Sequence, residues 1–345
     1  MELPKDIWRV LVTYLNVDSI LEFRCVSKEY MEHAKEFQGD NTMIIYNTKL
    51  WHKSFPNAKY SCISHRRNLT EDDFIYLTHV EELVMRLSTC KMKREIFHEF
   101  VNLRKLDLHG CHHYLGGSFN PWLSLHGIKH LKKLTHLSID NSVIFNDEIL
   151  SKFKLESLKV YNCYNITDEG FKNQTALKQL EIYNQQGITD KVFDYIPLQE
   201  LTVIHNANIS DLGIVKLSQL KKLFTRNTIQ VRGVGFSALK KLEMLYLSNI
   251  ILDTQYKDFA NVQELRFCQC ELRGTDYTLW NAERIHLQQC MISHPYHLLK
   301  LSYMPKLKKL TVYHCADIFP YKNEIKETMI DRFCTEDDLV YDGYI

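Results

Sequence analysis

One nine-residue pattern, LxxLxLxx(C/N), recurs along most of this chain and constrains its fold more than any other feature. It reads LRKLDLHGC from Leu103, LTHLSIDNS from Leu134, LESLKVYNC from Leu155, LKQLEIYNQ from Leu177 and LQELTVIHN from Leu198. It continues as LKKLFTRNT from Leu220, LEMLYLSNI from Leu242, VQELRFCQC from Val262, AERIHLQQC from Ala282 and LKKLTVYHC from Leu307. From Leu134 onward the copies are spaced by 21, 22, 21, 22, 22, 20, 20 and 25 residues. The Leu-x-Leu pair alternates as a short strand does, burying two side chains and exposing those between them. Such strands stack side by side into one parallel sheet. The ninth residue turns the chain away, and a small polar or thiol group there can bond to neighbouring backbone.

After the turn come NITDEGF (Asn165 to Phe171), GITDKVF (Gly187 to Phe193) and NISDLGI (Asn208 to Ile214). Thr167 with Asp168, and Thr189 with Asp190, are good capping residues, so each segment is expected to start a helix. A period in the twenties with this motif is the signature of leucine-rich repeats. The cysteines resemble those of the cysteine-containing class, often found in F-box proteins. Cys111, Cys163, Cys270, Cys290 and Cys315 all stand at the ninth position, and Cys90 joins them if Met85 and Leu87 form an earlier buried pair. Reduced structural thiols are expected there. NLTEDDF (Asn68 to Phe74) copies NITDEGF, which puts a degenerate strand near Ala58 to Ile63 and makes eleven or twelve repeats. The expected architecture is an α/β leucine-rich-repeat solenoid, a horseshoe with its parallel sheet on the concave face and helices on the convex face.

Before the repeats the periodicity becomes helical. Ile7, Val10, Leu11, Tyr14 and Leu15 fall on one face of a helix. Pro4 suits its first turn, while Asp18 and Ser27 can cap two more helices. The stretch ELPKDIWRVLVTYLNVDSILEFRCVSKEY resembles the F-box, matching it at Leu3-Pro4, Ile7, Leu11, Tyr14-Leu15, Ile20-Leu21, Arg24 and Val26-Ser27-Lys28. The family usually has Trp two residues after that lysine; this chain has Tyr30. The resemblance implies a three-helix module that docks on a Skp-family adaptor, and through it on a cullin scaffold. Leu3, Pro4, Ile7, Leu11, Leu15, Leu21 and Val26 match the docking positions. On the helix pattern alone, the segment could equally cap the exposed apolar end of the solenoid. The expected organisation is an F-box over 1–40, a linker or solenoid start over 41–57, repeats over 58–318 and a C-terminal cap or tail over 319–345.

Charge and composition narrow the function. The 43 Lys and Arg nearly balance the 42 Asp and Glu, so nothing broadly attracts a phosphate backbone or an anionic membrane. No apolar run approaches the roughly 18 to 20 residues that cross a bilayer. MELPKDIWRV lacks the regions of a signal peptide. The expected compartment is therefore reducing, cytoplasm or nucleus, and the expected partner is a protein. In HGCHHY, His109, Cys111, His112 and His113 are spaced too tightly for the separated ligand pairs of structural zinc. Cys268 and Cys270 share one strand and fail likewise. No phosphate-binding glycine loop, nucleophile elbow or H-E-x-x-H motif is present. No cofactor, metal or catalytic residue is expected; in F-box proteins transfer chemistry belongs to other subunits and the receptor supplies proximity.

The repeat register also predicts the exposed strand face. One column runs Asp107, Ser138, Lys159, Glu181, Thr202, Phe224, Tyr246, Arg266, His286 and Thr311. The next runs His109, Asp140, Tyr161, Tyr183, Ile204, Arg226, Ser248, Cys268, Gln288 and Tyr313. Tyr161, Tyr183, Ile204, Phe224 and Tyr246 form an aromatic and apolar band flanked by Arg226 and Arg266, the composition of a protein-binding hot spot. Aromatics on a sheet also pack laterally on each other. From Leu103 to Leu134 the spacing is 31 residues, and the insertion, HHYLGGSFNPWLSLHG over 112–127, is either a second recognition loop or a satellite core. The expected function is substrate recognition for a ubiquitin ligase; the rival is a solenoid scaffold or inhibitor with a helical cap.

Overall fold

The computed structural model describes residues 47–64, 69–86, 96–108, 125–142, 144–252, 259–273, 281–293, 304, 306–315 and 333–334. Residues 1–40, Cys90, Cys111, positions 112–124 of the insertion and the tail beyond 334 lie outside them. The chain divides into two compact units, Met1–Leu155 and Glu156–Ile345.

In the first unit, helix α1 (Thr48–Ser54) is capped by Asn47, whose side chain accepts from the Leu50 N–H at 2.9 Å. Next come four strands: β1 (Tyr60–Ser64), β2 (Glu82–Arg86), β3 (Lys105–Leu108) and β4 (His136–Asp140). Consecutive strands pair in parallel and in register, Leu83 with Leu106 and Leu106 with Leu137. The degenerate strand expected near Ala58 to Ile63 is β1. The Asn68–Phe74 copy behaves as its pattern implies: Thr70 caps the single turn α2 (Glu71–Phe74), and Asp73 reaches back to the Thr70 N–H at 2.9 Å. The turn α3 (Asp147–Leu150) is capped by Asn146. Phe74, Phe97 and Phe100 fill the space beneath the strands with fully buried, edge-packed or tilted rings.

The second unit repeats one register eight times, through β5 (Ser157–Tyr161), β6 (Gln179–Tyr183), β7 (Glu200–Ile204), β8 (Lys222–Arg226), β9 (Met244–Ser248), β11 (Glu264–Cys268), β13 (Arg284–Gln288) and β15 (Lys309–Tyr313). Every neighbouring pair is parallel, with identical motif positions opposite each other. The short strand β16 (Phe333–Cys334) adds to β15. Motif positions one, four and six point inward: Leu177, Leu180 and Ile182, or Leu242, Leu245 and Leu247, are almost wholly buried. Burying each such side chain stabilises by roughly 1.5 to 3 kcal/mol.

The segments after the turns carry less helix than their capping residues suggest. Thr167 and Thr189 do cap, accepting from the N–H two residues on, but each opens only one 3-10 turn, Asp168–Phe171 and Asp190–Asp194. Ser210 caps a single turn, α4 (Asp211–Ile214). Only nine residues lie between Thr167 and Leu177, where the next repeat begins, so the chain has room for a turn and no more. Directly after Ile250, Cys270 and Cys290 come two-residue strands: β10 (Ile251–Leu252), β12 (Glu271–Leu272) and β14 (Met291–Ile292), joined in a second small parallel sheet.

The aspartate after each cap ties one repeat to the next. Asp168 accepts from the Thr189 N–H and hydroxyl at 2.8 and 2.7 Å, and Asp190 accepts from the Ser210 N–H and hydroxyl at 2.8 and 2.5 Å. The following repeat has VRGVGF, with no Ser or Thr to receive Asp211. There the backbone substitutes: Asp211 accepts from the N–H groups of Arg232, Gly233 and Val234 at 2.9 to 3.1 Å, with Gly233 at φ 81°. Burial pushes the Asp211 carboxyl above the ordinary carboxylate range, while those three N–H groups and Arg232 pull the other way. Gly213 packs so closely that a Cβ there would fall on the Asp190 carboxylate.

The ninth-position side chains seal the turns. The thiols of Cys163, Cys270, Cys290 and Cys315 each donate to the carbonyl two residues back, at 3.4 to 3.5 Å. Cys270 and Cys290 also reach the preceding repeat, at Leu247 O (3.1 Å) and Phe267 O (3.3 Å). Asn206 does the same with an amide, donating to Gln185 O at 2.6 Å and accepting from the Asn208 and Ile209 N–H groups. These four thiols are buried, and none is in a disulfide.

Substitution and labelling test these contacts. Asp211→Ala strands three backbone N–H groups in a buried site and should lower unfolding stability by about 1–3 kcal/mol in denaturant titration. Gly213→Ala should destabilise too, by displacing Asp190. In native protein, Cys163, Cys290 and Cys315 should resist iodoacetamide while half-exposed Cys268 reacts before them, and all four should label once unfolded. The Cys290 thiol, pushed up to about 12 chiefly by the hydrogen bond it shares with Cys270 and further by burial, offers no thiolate at neutral pH.

Candidate functional site

The outward face of the second unit is assembled from motif positions three, five and seven, because strand alternation turns those side chains away from the core. The observed pairing reproduces both expected columns there. Lys159, Glu181, Thr202, Phe224, Tyr246, Arg266, His286 and Thr311 stand opposite one another in sequence, as do Tyr161, Tyr183, Ile204, Arg226, Ser248, Cys268, Gln288 and Tyr313. In the first unit Asp107 pairs with Ser138, and Asp140 ends β4. His109 lies outside the described residues.

The aromatic band resolves into two clusters. Tyr161 and Tyr183 lie with ring centroids 6.1 Å apart, and Tyr183 meets the His205 ring edge-on at 5.3 Å. The Tyr161 hydroxyl donates to Glu181 at 2.6 Å, and Lys159 pairs with the same carboxylate at 3.0 Å. Phe224 and Tyr246 stack nearly parallel, 4.1 Å apart and 9° from coplanar. Tyr161, Tyr183, Ile204, Phe224 and Tyr246 are all half-buried, while Arg226 and Arg266 are exposed. Lateral packing and outward presentation therefore coexist: the rings fix each other's rotamers and still offer a face. Burial pushes the Tyr246 phenol up to about 12, with Cys268 beside it adding to the rise, so it stays a neutral donor.

Charge is distributed unevenly over this face. On β5 to β7 the ionised groups are Lys159, Glu181 and Glu200. On β8, β9, β11, β13 and β15 they are Lys222, which pairs with Glu200 of β7, and Arg226, Arg266, Arg284 and Lys309 against the single carboxylate of Glu264. Glu264, whose side chain is 9% exposed, holds Arg266 at 2.5 Å and Arg284 at 3.0 Å. Burial lowers the His286 imidazole below its usual range, and Arg266 lowers it further, leaving the ring neutral near pH 7.

A column that sequence reasoning missed runs along the edge of the face, at motif position eight. Asn141, Asn162, Asn184, His205, Asn227, Asn249, Gln269, Gln289 and His314 all adopt left-handed backbone, with φ between 50° and 55°. This conformation reverses the chain and delivers the ninth residue to the core. In the second unit the N–H of Asn184 bonds to Ile204 O at 3.0 Å and that of Asn227 to Ser248 O at 3.1 Å. The side chains form their own ladder: Asn184 donates to Asn162 at 2.8 Å, Asn249 to Asn227, and Gln269 to Gln289 at 3.1 Å. The recurrent asparagine was the available signal, since Asn tolerates this region better than other residues with a Cβ.

The adaptor-docking candidates Leu3, Pro4, Ile7, Leu11, Leu15, Leu21 and Val26 lie outside the described residues. Of the insertion, the end enters a 3-10 turn, Leu125–His130. Among the described residues no group of three or more His, Cys, Asp and Glu side chains is placed to hold a metal ion. No helix among them is long and apolar enough to cross a membrane.

No protein-family model matches the sequence. No curated protein matches it either. Solved structures do. An internalin from Listeria monocytogenes superposes with a TM-score of 0.54 at 13% identity, covering 93% of this chain and 95% of that one. The structure of the Toll–Spätzle complex, from Drosophila, matches with a TM-score of 0.53 at 12% identity, over 78% of this chain and 44% of that one. A leucine-rich-repeat protein of Leptospira interrogans gives 0.47 at 14% identity, over 71% and 69%. At such identities the likeness to the first two is one of fold alone, and together with the recurring motif and its in-register parallel strands it makes this chain a leucine-rich-repeat solenoid.

Proposed function

We propose that the chain is the substrate-recognition subunit of a Skp–cullin–F-box ubiquitin ligase. The observation that carries this reading is the run Leu3-Pro4, Ile7, Leu11, Tyr14-Leu15 and Val26-Ser27-Lys28, placed directly ahead of a repeat solenoid. A plain helical cap has no reason to combine those residues. The N-terminal module docks on the adaptor through Leu3, Pro4, Ile7, Leu11, Leu15, Leu21 and Val26. The strand face binds the substrate through Tyr161, Tyr183, Ile204, Phe224, Arg226, Tyr246 and Arg266. Its rings, already packed against one another, give up little side-chain entropy on binding. The subunit is not itself an enzyme; it raises the local concentration of substrate near the charged ubiquitin carrier. A second reading, a scaffold or inhibitor without ubiquitination, uses the same face and differs only at the N-terminal module.

Two experiments test the reading. Leu3→Ala with Pro4→Ala should greatly weaken co-purification of a Skp-family adaptor, since each buried apolar side chain contributes roughly 1.5 to 3 kcal/mol. Unchanged recovery by a folded double variant leaves the scaffold reading. Replacing Phe224 and Tyr246 together by Ala should release the substrate while keeping the adaptor, costing about thirtyfold or more in affinity. Retention of every partner captured by the parent would place substrate binding elsewhere.

A further inference from the structure

Arg226 and Lys309 are exposed on the strand face, and neither has an acidic partner among the described residues. Arg266 and Arg284 share one carboxylate, that of Glu264, so this pair of guanidinium groups is only half neutralised. The register sets these groups in order. Arg284 lies opposite both Glu264 and Lys309, while Arg266 lies opposite Tyr246, which in turn lies opposite Phe224. Two residues beyond Phe224 on the same strand is Arg226. The result is a stacked aromatic pair bordered by cations, on strands whose spacing is about 4.8 Å. Guanidinium groups exposed by about half, at 48% and 62% of the side chain, keep donors free to meet oxygen acceptors.

Resting on the receptor reading above, we infer that the strand face from β8 to β15 selects an acidic peptide segment: carboxylates against Arg226, Arg266, Arg284 and Lys309, and an apolar side chain on the Phe224–Tyr246 stack. The charge asymmetry argues for this class of occupant. A basic or neutral segment would meet an excess of positive charge here, and like-charge juxtaposition is strongly unfavourable at an interface. On the neighbouring face, β5 to β7, Lys159 is held by Glu181 and Glu200 by Lys222 of β8, so its cation is already engaged and it would not hold the same segment. An apolar group on the ring stack supplies burial, and the flanking carboxylates supply register and orientation.

The test uses the full chain bound to its Skp-family adaptor, or the full chain alone if no adaptor binds, displayed against a library of random twelve-residue peptides. Selected peptides should be enriched in Asp and Glu around one aromatic or aliphatic residue. By fluorescence anisotropy their binding should weaken severalfold between 50 and 300 mM salt, as contacts between exposed charges are screened. Arg226→Glu with Lys309→Glu should weaken them by about tenfold or more, while Arg226→Lys with Lys309→Arg stays close to the parent. Arg226 and Lys309 have no salt bridge to lose among the described residues, so thermal melts should match the parent. Selection of neutral or basic peptides that are still lost with Phe224→Ala and Tyr246→Ala overturns the acidic class while sparing the docking face. Selected peptides indifferent to those aromatic changes refute both. Tighter binding of a twenty-nucleotide single-stranded DNA, abolished by the same charge reversal, would instead make the patch a phosphate-backbone site and overturn the proposal.

Discussion

In-register parallel pairing is the constraint on which everything else in this molecule rests. Because neighbouring strands set identical motif positions opposite each other, Leu180 meets Leu201 and Leu201 meets Leu223, and the ladder buries apolar side chains on one another, with Thr225 at an inward position as a polar exception. A slip of one residue would turn every leucine outward and every tyrosine in. The turn column, the thiol column and the outward columns are all projections of that single register. Backbone bonds maintain it from both ends of each strand. Lys178 and Gln179 donate back to Glu156 O, and Asn184 donates forward to Ile204 O.

Much of this was legible in the amino-acid pattern. The spacing of Leu, Leu and Leu located the strands, and the outward columns implied by it were recovered pair for pair from β5 to β15, although Ser248 and Thr311 within them are buried. The ninth-position cysteines could be assigned to turns because a thiol is small, apolar and able to donate weakly. The parts that stayed hidden are those where backbone geometry or inter-repeat chemistry decides. The left-handed residue at position eight is Asn in some repeats and His or Gln in others, so no single residue type announces it. The aspartates of the Thr-Asp pairs read as helix-start residues; their second role, gripping the next repeat, depends on a neighbour twenty-odd positions away. Helix was overestimated because capping chemistry marks where a turn begins and says nothing about how soon the next strand must start.

The face illustrates how packing and recognition share the same side chains. Phe224 and Tyr246 stack as cross-strand neighbours do in any sheet, and this accounts for part of their burial. The stack also leaves a flat apolar surface of fixed orientation. Rings held this way combine the large contact area of aromatics with a small ordering cost, which is the property that interface anchors share. The Tyr161 cluster is different in kind, since its hydroxyl and the Lys159 ammonium are both engaged by Glu181. One region is thus apolar with cations around it, the other a closed polar network.

The hand-over of carboxylates from repeat to repeat has an evolutionary consequence. Between Asp168 and Ser210 each joint is the same grip of one carboxylate on the N–H and hydroxyl of the next cap. Units with matching ends can be copied in tandem, and the new seam inherits the bonds of the old. Asp211 ends that series, because its partners are three amides held by a glycine loop rather than a portable Ser or Thr. Gene segments downstream of that joint cannot be exchanged with those upstream without stranding a buried carboxyl group. Duplication that keeps the carboxylate grip is therefore confined to the stretch before Asp211, and the loop at Gly233 marks where that kind of seam ends.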